Sequence, residues 1–180
     1  MHKPGRSLTA RIGQSLINQR RLTIRRATPR DLPELLRLNI VADEHNHELV
    51  PDIGARRIDT RRSLNYWKRS LRHWWQAVWV ADLDGGLLAV IGVDLRVTRH
   101  RFAPIKRHVY LHSLWVEPQA RRLGLARRLT RTALAWGQRR GATQARLEAA
   151  SVNASALRLY ESLGFASREV LMARPIRATD

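Results

Sequence analysis

The chain has no cysteine among its 180 residues. Disulfide bonds, thiolate metal ligands and a cysteine nucleophile are therefore excluded from its stability and its chemistry. Long apolar runs are missing too, because the longest candidate, Leu87–Val93, has the length of a strand and is too short to span a bilayer. The lack of thiols fits a reducing compartment, so we expect a cytoplasmic protein with no membrane partner.

Negative charge is scarce as well. The sequence holds 15 Asp and Glu against 33 Lys and Arg, which gives a formal net charge of +18. Lysine occurs only at Lys3, Lys68 and Lys106, so arginine supplies nearly all of the positive charge. Because so basic a surface attracts nucleic acid and polyanionic cofactors, a nucleic-acid or ribosome-associated binding module is one candidate function. No known RNA-binding pattern of interleaved aromatic and basic residues is present.

The first 21 residues contain no acidic residue and several Arg and Ser. This composition resembles an organelle transit peptide, and a disordered basic tail is the alternative that we favour. The remainder, residues 22–180, is long enough to form one domain with its own apolar core. The sequence therefore predicts a basic tail over residues 1–21 and a single domain over residues 22–180.

Residue patterns along that domain alternate between strand and helix periodicity. The predicted elements are a strand at Leu22–Arg26, a helix from Thr28, a helix at about Ile58–Trp75, strands at Gln76–Ala81 and Leu87–Val97, a strand at about Arg107–Val116, a helix from Leu125 that stops at Gly141, a strand at Gln144–Ala149, a helix at Ala154–Leu163 and a strand at Glu169–Ile176. This order indicates an α/β fold in which helices cover a mixed sheet.

The most informative stretch is Tyr110–Ala126, where an apolar strand pattern runs into a helix through a basic turn around Arg121 and Gly124. A helix that begins there leaves backbone N–H groups without partners, and with the positive end of the helix dipole they form a seat for phosphate. The segment Pro118–Leu147 has no Asp or Glu, although helix starts favour them. A polyanionic ligand would supply the missing negative charge, and a solvated basic helix face is the alternative.

This turn resembles the acyl-CoA pyrophosphate loop of the GNAT superfamily, the acetyl-CoA-dependent N-acetyltransferases. That loop is usually written Q/R-x-x-G-x-G/A, and the sequence here reads Arg121, Arg122, Leu123, Gly124, Leu125, Ala126. A second element lies at the right distance, because the segment Asn153–Phe165 is similar to the family pattern N-x-x-A/S-x-x-x-Y followed by Leu-Gly-Phe. The resemblance covers about Leu22–Ile176.

The resemblance implies a mixed, mostly antiparallel central sheet with a V-shaped splay, flanked by helices. It implies an enzyme that moves an acetyl group from acetyl-CoA, its co-substrate, to an amine on a small molecule or a protein. A catalytically silent acyl-CoA sensor is an alternative with the same fold. The last predicted strand, Glu169–Ile176, is one surface through which a homodimer would form.

Roles for single residues follow from the same resemblance. The implied cofactor-binding residues are Leu114, Trp115, Val116, Arg121, Arg122, Leu123, Gly124, Leu125, Ala126 and Asn153. The turn would bind the pyrophosphate through its amides, the strand residues would pair with the pantetheine arm, and Asn153 would contact that arm. Tyr160 would donate a proton to the leaving sulfur. Plain packing is the alternative for Tyr160, and helix capping is a second, compatible role for Asn153.

A primary amine is cationic in water, so a group must take up its proton before it attacks. The candidate bases are His112, Glu148 and Glu117, and a chain of water molecules is an alternative to all three. Regular strand alternation would place His112 and Leu114 on one face and Trp115 and Glu117 on the other. His112 could instead be a satisfied histidine of the sheet, and Glu117 a carboxylate paired with an arginine.

Acidic residues concentrate in one place, after the first predicted helix, in the region that rims the acceptor pocket of GNAT-like proteins. They are Asp43, Glu44, Glu48 and Asp52, with His45 and His47 between them. Such a rim would attract a cationic amine towards a basic protein, and a solvated helix end is the alternative. The spacing matches no known metal-ligand pattern, so we expect no metal site. The neighbouring tryptophans are expected to form core and rim packing, or an aromatic wall for the acceptor; they are Trp67, Trp74, Trp75 and Trp79.

Overall fold

The computed structural model describes residues 22–50, 59–100, 103–169 and 172. Within these ranges the chain forms five strands and four α-helices. The strands are β1 (Leu22–Arg26), β2 (Gln76–Leu83), β3 (Gly86–His100), β4 (Ala103–Val116) and β5 (Gln144–Arg146). The helices are α1 (Leu32–Leu49), α2 (Thr60–Ser70), α3 (Leu125–Gln138) and α4 (Ala154–Glu161). Short 3₁₀ turns at Pro29–Asp31 and Pro118–Ala120 lead from β1 into α1 and from β4 towards α3.

The five strands form one sheet in the order β1-β2-β3-β4-β5. The first three pairs are antiparallel, whereas β4 and β5 are parallel. The β2–β3 hairpin turns at Asp84 and Gly85, whose φ angles of 52° and 90° are the positive values that a tight hairpin turn requires. The mixed, mostly antiparallel sheet flanked by helices is therefore confirmed.

Strands β4 and β5 stay paired for a short distance, from His108 opposite Gln144 to Tyr110 opposite Arg146. Beyond that point β4 continues to Val116, while the chain after β5 leaves the sheet. The two strands therefore diverge in a V, and this part of β4 has no strand partner on the β5 side among the described residues. The predicted strand Gln144–Ala149 was too long, because its pairing with β4 ends at Arg146.

Helices cover both faces of the sheet and bury two apolar clusters, which supply the main stabilising term of the fold. α3 packs on one face through its predicted apolar stripe, which is fully buried. The stripe consists of Leu125, Leu129, Ala133 and Trp136. α1 and α2 pack on the other face, where Trp67 is buried together with Leu35 and Leu38.

The second half of β4 contains a β-bulge that regular alternation does not predict. Val90 of β3 lies opposite Trp115, and Gly92 lies opposite His112, so two residues of β4 face a single residue of β3. Ser113, within the bulge, has a φ of 52°, a left-handed value that is uncommon for a residue other than glycine. A bulge of this kind re-aims the side chains that follow it.

The bulge reverses the expected faces of this strand. His112 contacts Tyr66 of α2, and Trp115 packs in the cluster beneath α1 and α2, so both lie on the same face. Leu114 packs in the cluster beneath α3, on the opposite face. The prediction that His112 shares a face with Leu114 was therefore wrong, because an extra residue in the strand shifts the alternation by one.

Several helix and strand boundaries differ from the predicted ones. α2 begins after Asp59, whose carboxylate accepts a hydrogen bond of 2.9 Å from the backbone N–H of Arg62, and it ends well before the predicted Trp75. Strand β3 continues to His100 and strand β4 begins at Ala103, so the β3–β4 hairpin is longer than predicted.

Several predictions fall outside the described ranges. They concern the basic tail over residues 1–21, Asp52 of the acidic rim, and the last strand Glu169–Ile176 apart from Glu169 and Met172. Over the described ranges, the model contains no helix whose length and apolar character would let it cross a bilayer.

Candidate functional site

The turn between β4 and α3 has an unusual backbone. Arg122 and Gly124 both have left-handed conformations, with φ angles of 66° and 79°. Left-handed residues among right-handed or extended ones point neighbouring N–H groups towards a common centre, and such nests bind anions. A left-handed arginine also carries backbone strain, which is typically stored at functional sites.

The backbone N–H groups that follow Arg121 distinguish this turn, whereas that of Arg121 itself donates to the carbonyl of Pro118 at 3.3 Å. Among the described residues, no hydrogen bond is formed by the backbone N–H of Arg122 through Arg127, and the first bond of α3 runs from the N–H of Arg128 to the carbonyl of Gly124, at 3.0 Å. Gly124 caps the helix without a side chain, and the first turn contains no acid. The dipole and the free donors together leave a seat that an anion would satisfy.

Arginine side chains surround this seat, and two of them are held in place. Arg121 donates from Nε to the carbonyl of Val116 at 3.2 Å, and its guanidinium lies 5.0 Å from the ring centre of Trp115. Arg127 donates to Oγ of Ser162 at 2.7 Å, which ties α3 to the end of α4. The residues that the sequence assigned to a pyrophosphate loop are thus brought together around one set of backbone donors.

Helix α4 brings the second motif alongside α3. The Oδ1 atom of Asn153 accepts a hydrogen bond of 3.1 Å from the N–H of Ala156 and one of 3.0 Å from Oγ of Ser155, so it caps the helix. Its side-chain amide N–H groups form no hydrogen bond within the described part of the chain and remain available to a ligand.

Tyr160 is half-buried and packs edge-on against Phe165, with ring centres 5.7 Å apart. No described residue forms a hydrogen bond with its hydroxyl group. Burial raises the pKa of Tyr160 to about 12, so the hydroxyl keeps its proton at neutral pH. A protonated, unpartnered phenol can donate a hydrogen bond to an atom that enters the site.

Glu117 is not a free base in this structure. Its side chain is buried, and it forms an ion pair of 2.6 Å with Arg37 of α1, which also contacts Glu34. The alternative interpretation of Glu117, a strand-end carboxylate paired with an arginine, therefore describes its arrangement.

His112 lies in a polar cluster beneath α2. Its Nε2 atom is 3.3 Å from Oδ1 of Asp94 and 2.9 Å from Oη of Tyr66, and its Nδ1 atom is 3.2 Å from Oγ of Ser113. The imidazole fits because the residue opposite it on β3 is Gly92: a Cβ atom there would overlap the ring. The glycine thus has a steric role beside a candidate base.

Asp94 is the charged centre of that cluster. Burial alone would raise the pKa of Asp94, but hydrogen bonds from His112, Gln76 and Arg96 outweigh it and lower the pKa to about 2. Its carboxylate is therefore ionised at neutral pH. Burial, followed by the charge of Asp94, raises the pKa of Tyr66 to about 12, so that phenol stays neutral beside it.

The other candidate base, Glu148, approaches the same cluster from the diverging side of β5. Burial and then the charge of the nearby Glu148 carboxylate raise the pKa of Tyr110. The Tyr110 ring lies 3.8 Å from the guanidinium of Arg96 and stacks beside His112 with ring centres 6.4 Å apart. His112 and Glu148 thus flank one tyrosine, which the sequence did not single out.

The acidic residues predicted to follow the first helix lie within it instead, because α1 continues to Leu49, and its C-terminal half carries Asp43, Glu44 and Glu48. His45 packs edge-on against Trp115 at 5.4 Å between ring centres and lies 3.7 Å from Glu48. Burial raises the pKa of Asp43, partly offset by a hydrogen bond of 2.7 Å from Asn39. Helix α1 thus reaches the end of β4 through His45.

The four tryptophans have different environments. Trp67 is fully buried, and Trp79 packs against the cluster beneath α3, as expected for core packing. Trp74 is 67% exposed and Trp75 is 39% exposed, so neither forms a closed aromatic wall.

Sequence reasoning missed four residues of this cluster, because they come from three separate elements. They are Asp94, Tyr66, Tyr110 and Arg96. One signal was available for Asp94, a carboxylate at the end of the apolar run Leu87–Val93.

Comparison with known proteins identifies the family. The model of the Acetyltransferase (GNAT) family matches residues 41–165, a range that includes both motifs. Human N-acetyltransferase 8 is 30% identical over 90 residues, which are 48% of this chain and 37% of that protein. The chain therefore matches little more than a third of that relative's length.

Solved structures share the fold. A tetramutant of the BH1408 protein of Bacillus halodurans superposes with a TM-score of 0.77 at 23% identity, covering 86% of this chain and 99% of that one. The aminoglycoside N-acetyltransferase AAC(6')-Iy, in complex with CoA, has a TM-score of 0.67 at 19% identity, covering 88% and 97%. Since the family model spans well over half of its residues, the chain belongs to the GNAT family of acetyltransferases, whose acetyl donor is acetyl-CoA.

Proposed function

We propose that this protein is an N-acetyltransferase in which a neutral amine attacks the thioester of acetyl-CoA directly. The observation that carries this proposal is the row of backbone N–H groups from Arg122 to Arg127, at the start of α3, that find no acceptor in the described part of the chain. A pyrophosphate is the chemical group that such a seat fits. We also propose that residues 22–180 form the acetyltransferase domain and that residues 1–21 are a basic tail.

In this proposal the cofactor lies along the diverging edge of β4. The pyrophosphate binds to the turn Arg121–Ala126, and the pantetheine arm pairs with the backbone of Leu114–Val116, like an added strand. That pairing is open because β5 separates from β4 beyond Tyr110. The free amide of Asn153 binds the same arm.

In this direct transfer, the protein forms no covalent bond to either substrate. Holding the amine and the thioester together removes much of the entropic barrier. A backbone N–H of β4 near Trp115 or Val116 stabilises the oxyanion. Tyr160 donates its proton to the thiolate as the carbon–sulfur bond breaks, which its neutral state allows.

The acceptor is an amine on a small molecule or a protein. His112 or Glu148 takes up its proton, since both flank Tyr110 at the divergence of the strands. The carboxylates on α1, Asp43 and Glu48 among them, attract a cationic amine towards the site. The structural relative AAC(6')-Iy is an aminoglycoside N-acetyltransferase, which supports testing polyamines and amino sugars first.

The proposal is tested by binding and by turnover. Acetyl-CoA should bind at micromolar concentration, as measured by calorimetry, and an acceptor screen should show CoA release with a thiol reagent. The chain contributes no background because it has no cysteine. Failure to bind acetyl-CoA would remove the basis of the proposal, whereas binding without turnover on any amine would favour the silent sensor.

A second candidate function is nucleic-acid binding, and one surface favours it. No acidic residue occurs from Thr60 to Ala81, and the exposed cations of that stretch lie on and just after α2. They are Arg61, Arg62, Lys68, Arg69 and Arg72. The exposed Trp74 follows them and offers a stacking surface. RNA binding with a salt slope of several charges, weakened by Trp74→Ala, would support this second function.

A further inference from the structure

Asp94 is placed where a carboxylate is costly. It lies at the end of an apolar stretch of β3, its side chain is 14% exposed, and the neighbouring Val93 belongs to the buried core. A charge in such a position is stable only when several donors compensate for the lost water. Here the donors are Gln76 at 2.9 Å, Arg96 at 3.1 Å and His112 at 3.3 Å.

The bond between Asp94 and His112 determines where the imidazole proton resides. An ionised carboxylate can only accept hydrogen bonds, so a hydrogen bond between Nε2 of His112 and Oδ1 of Asp94 places the proton on Nε2, and the Tyr66 hydroxyl, 3.2 Å from Nδ1, can then donate to that other nitrogen. A neutral imidazole with a proton on Nε2 has its lone pair on Nδ1. That atom faces Oγ of Ser113 in the β-bulge, beside the divergence of β4 and β5.

We propose that Asp94 is a positioning residue for acetyl transfer: its carboxylate holds a proton on Nε2 of His112 and so leaves Nδ1 as the atom that takes up the proton lost by the acceptor amine. The inference rests on the proposed function and selects His112 over Glu148 as the base. An N–H bond of the ammonium breaks, its electron pair stays on the amine nitrogen, and an Nδ1–H bond forms. The resulting imidazolium is stabilised by the charge of Asp94.

Other groups around the imidazole are compatible with this role. The charged and titratable groups that face it or its two partners, among the described residues, are Tyr66 and Arg69 from α2, Asp94 and Arg96 from β3, and Tyr110 from β4, with Glu148 beside Tyr110. Arg96 is held by Asp94 and by the ring of Tyr110. The Tyr66 hydroxyl keeps its proton and lies 3.2 Å from Nδ1, so it can donate to that atom in the neutral ring and rotate to accept from it once Nδ1 is protonated.

The test is the pH dependence of kcat/KM in Asp94→Asn. We expect kcat/KM at pH 7 to fall about 100-fold, with acetyl-CoA affinity changed by less than about twofold. The acid limb of the pH profile should move to lower pH, since an amide carries no charge to stabilise the imidazolium. Asp84→Asn is the matched control, because Asp84 is an exposed residue of the β2–β3 turn that tolerates Asn in its left-handed conformation.

A double variant separates positioning from a structural role. If Asp94 acts through His112, then Asp94→Asn should lower kcat/KM by less than about twofold in a His112→Gln background. Independent, multiplicative losses would overturn the inference, as would wild-type activity in His112→Gln or an acid limb that does not move. A wild-type protein that never releases CoA would instead refute the proposed function.

A measurement on the wild-type protein covers the case in which these variants do not fold. In a ¹⁵N spectrum of the histidine rings at neutral pH, the His112 signals should show the proton on Nε2. The signals can be assigned from nuclear Overhauser effects to protons of Tyr66 and Ser113, which flank the ring. A neutral ring with its proton on Nδ1 would overturn the inference.

Discussion

The turn after β4 and the cluster beneath α2 handle polar groups in opposite ways. In the turn, the backbone N–H groups of Arg122 through Arg127 find no acceptor among the described residues. In the cluster, the carboxylate of Asp94 is satisfied by three protein donors. The first region is incomplete without an anion, whereas the second is complete before any substrate arrives.

In the proposed function, this difference separates cofactor binding from proton transfer. An anion can accept hydrogen bonds from the backbone donors of the turn without any hydrogen bond within the protein having to break first. A proton acceptor instead needs a fixed tautomer and a nearby charge of opposite sign, which only prior hydrogen bonds supply. Variants of the two regions should therefore fail in different kinetic constants.

The largest effect is expected from Tyr160→Phe, which removes the proposed proton donor and keeps the packing against Phe165. We expect kcat to fall at least about 100-fold while the dissociation constant of acetyl-CoA changes less than about twofold. Steady-state kinetics with calorimetry provide both values. Equal losses in turnover and in affinity would instead mean that Tyr160 serves only to bind or pack.

Gly124→Ala, in the turn, should give the reverse of the Tyr160→Phe result: weaker cofactor binding with little change in turnover. A Cβ at Gly124 meets no atom within 4 Å, so the change strains only the left-handed backbone, whose φ is 79°. We expect acetyl-CoA affinity to fall about tenfold with little change in kcat once the cofactor is saturating. Gly85→Ala is the matched control: Gly85 has a φ of 90° and equally open space, but it lies in the β2–β3 hairpin turn. Equal loss of affinity in both variants would contradict the role of the turn.

A smaller effect, on stability and not on chemistry, is expected for Glu117→Gln. Its carboxylate is buried against Arg37, so we expect the free energy of unfolding to fall by about 1–2 kcal/mol, with kcat/KM within about threefold. Glu34→Gln removes the exposed partner of the same arginine and should change stability by less than about 0.5 kcal/mol. Chemical denaturation measures both values. A collapse of activity in a fully stable Glu117→Gln would make Glu117 the base.

The cofactor-side motif was predictable because its signal is contiguous in the sequence. Free helix donors, Gly124 and the lack of acids all lie within a few residues of one another, and local chemistry is sufficient to interpret them. The apolar stripe of α3, including Leu129 and Trp136, was predictable for the same reason, since helical periodicity is local.

The cluster was predictable only in part, because tertiary packing assembles it. His112 was a candidate, but Tyr66 and Asp94 approach it from elements that are distant in sequence. The bulge at Ser113 then moved Trp115 to the face of His112, which no alternation rule anticipates. Gly92 leaves room for the imidazole opposite it, but this role can be recognised only once the pairing register of β3 and β4 is known.

The smallest expected effect comes from salt, and it compares both regions in one experiment. The cations beside the turn, such as Arg122 and Arg128, are exposed and are screened once the Debye length falls below their distance to the phosphates. We expect the KM for acetyl-CoA to rise about fivefold between about 0.05 and 0.5 M salt. The Asp94–His112 contact is largely buried, so the acid limb of kcat/KM should move by less than about 0.3 pH unit over the same range. If the acid limb of kcat/KM depended on salt as strongly as the KM does, the base would be an exposed group, and the turn and the cluster beneath α2 would not differ as argued.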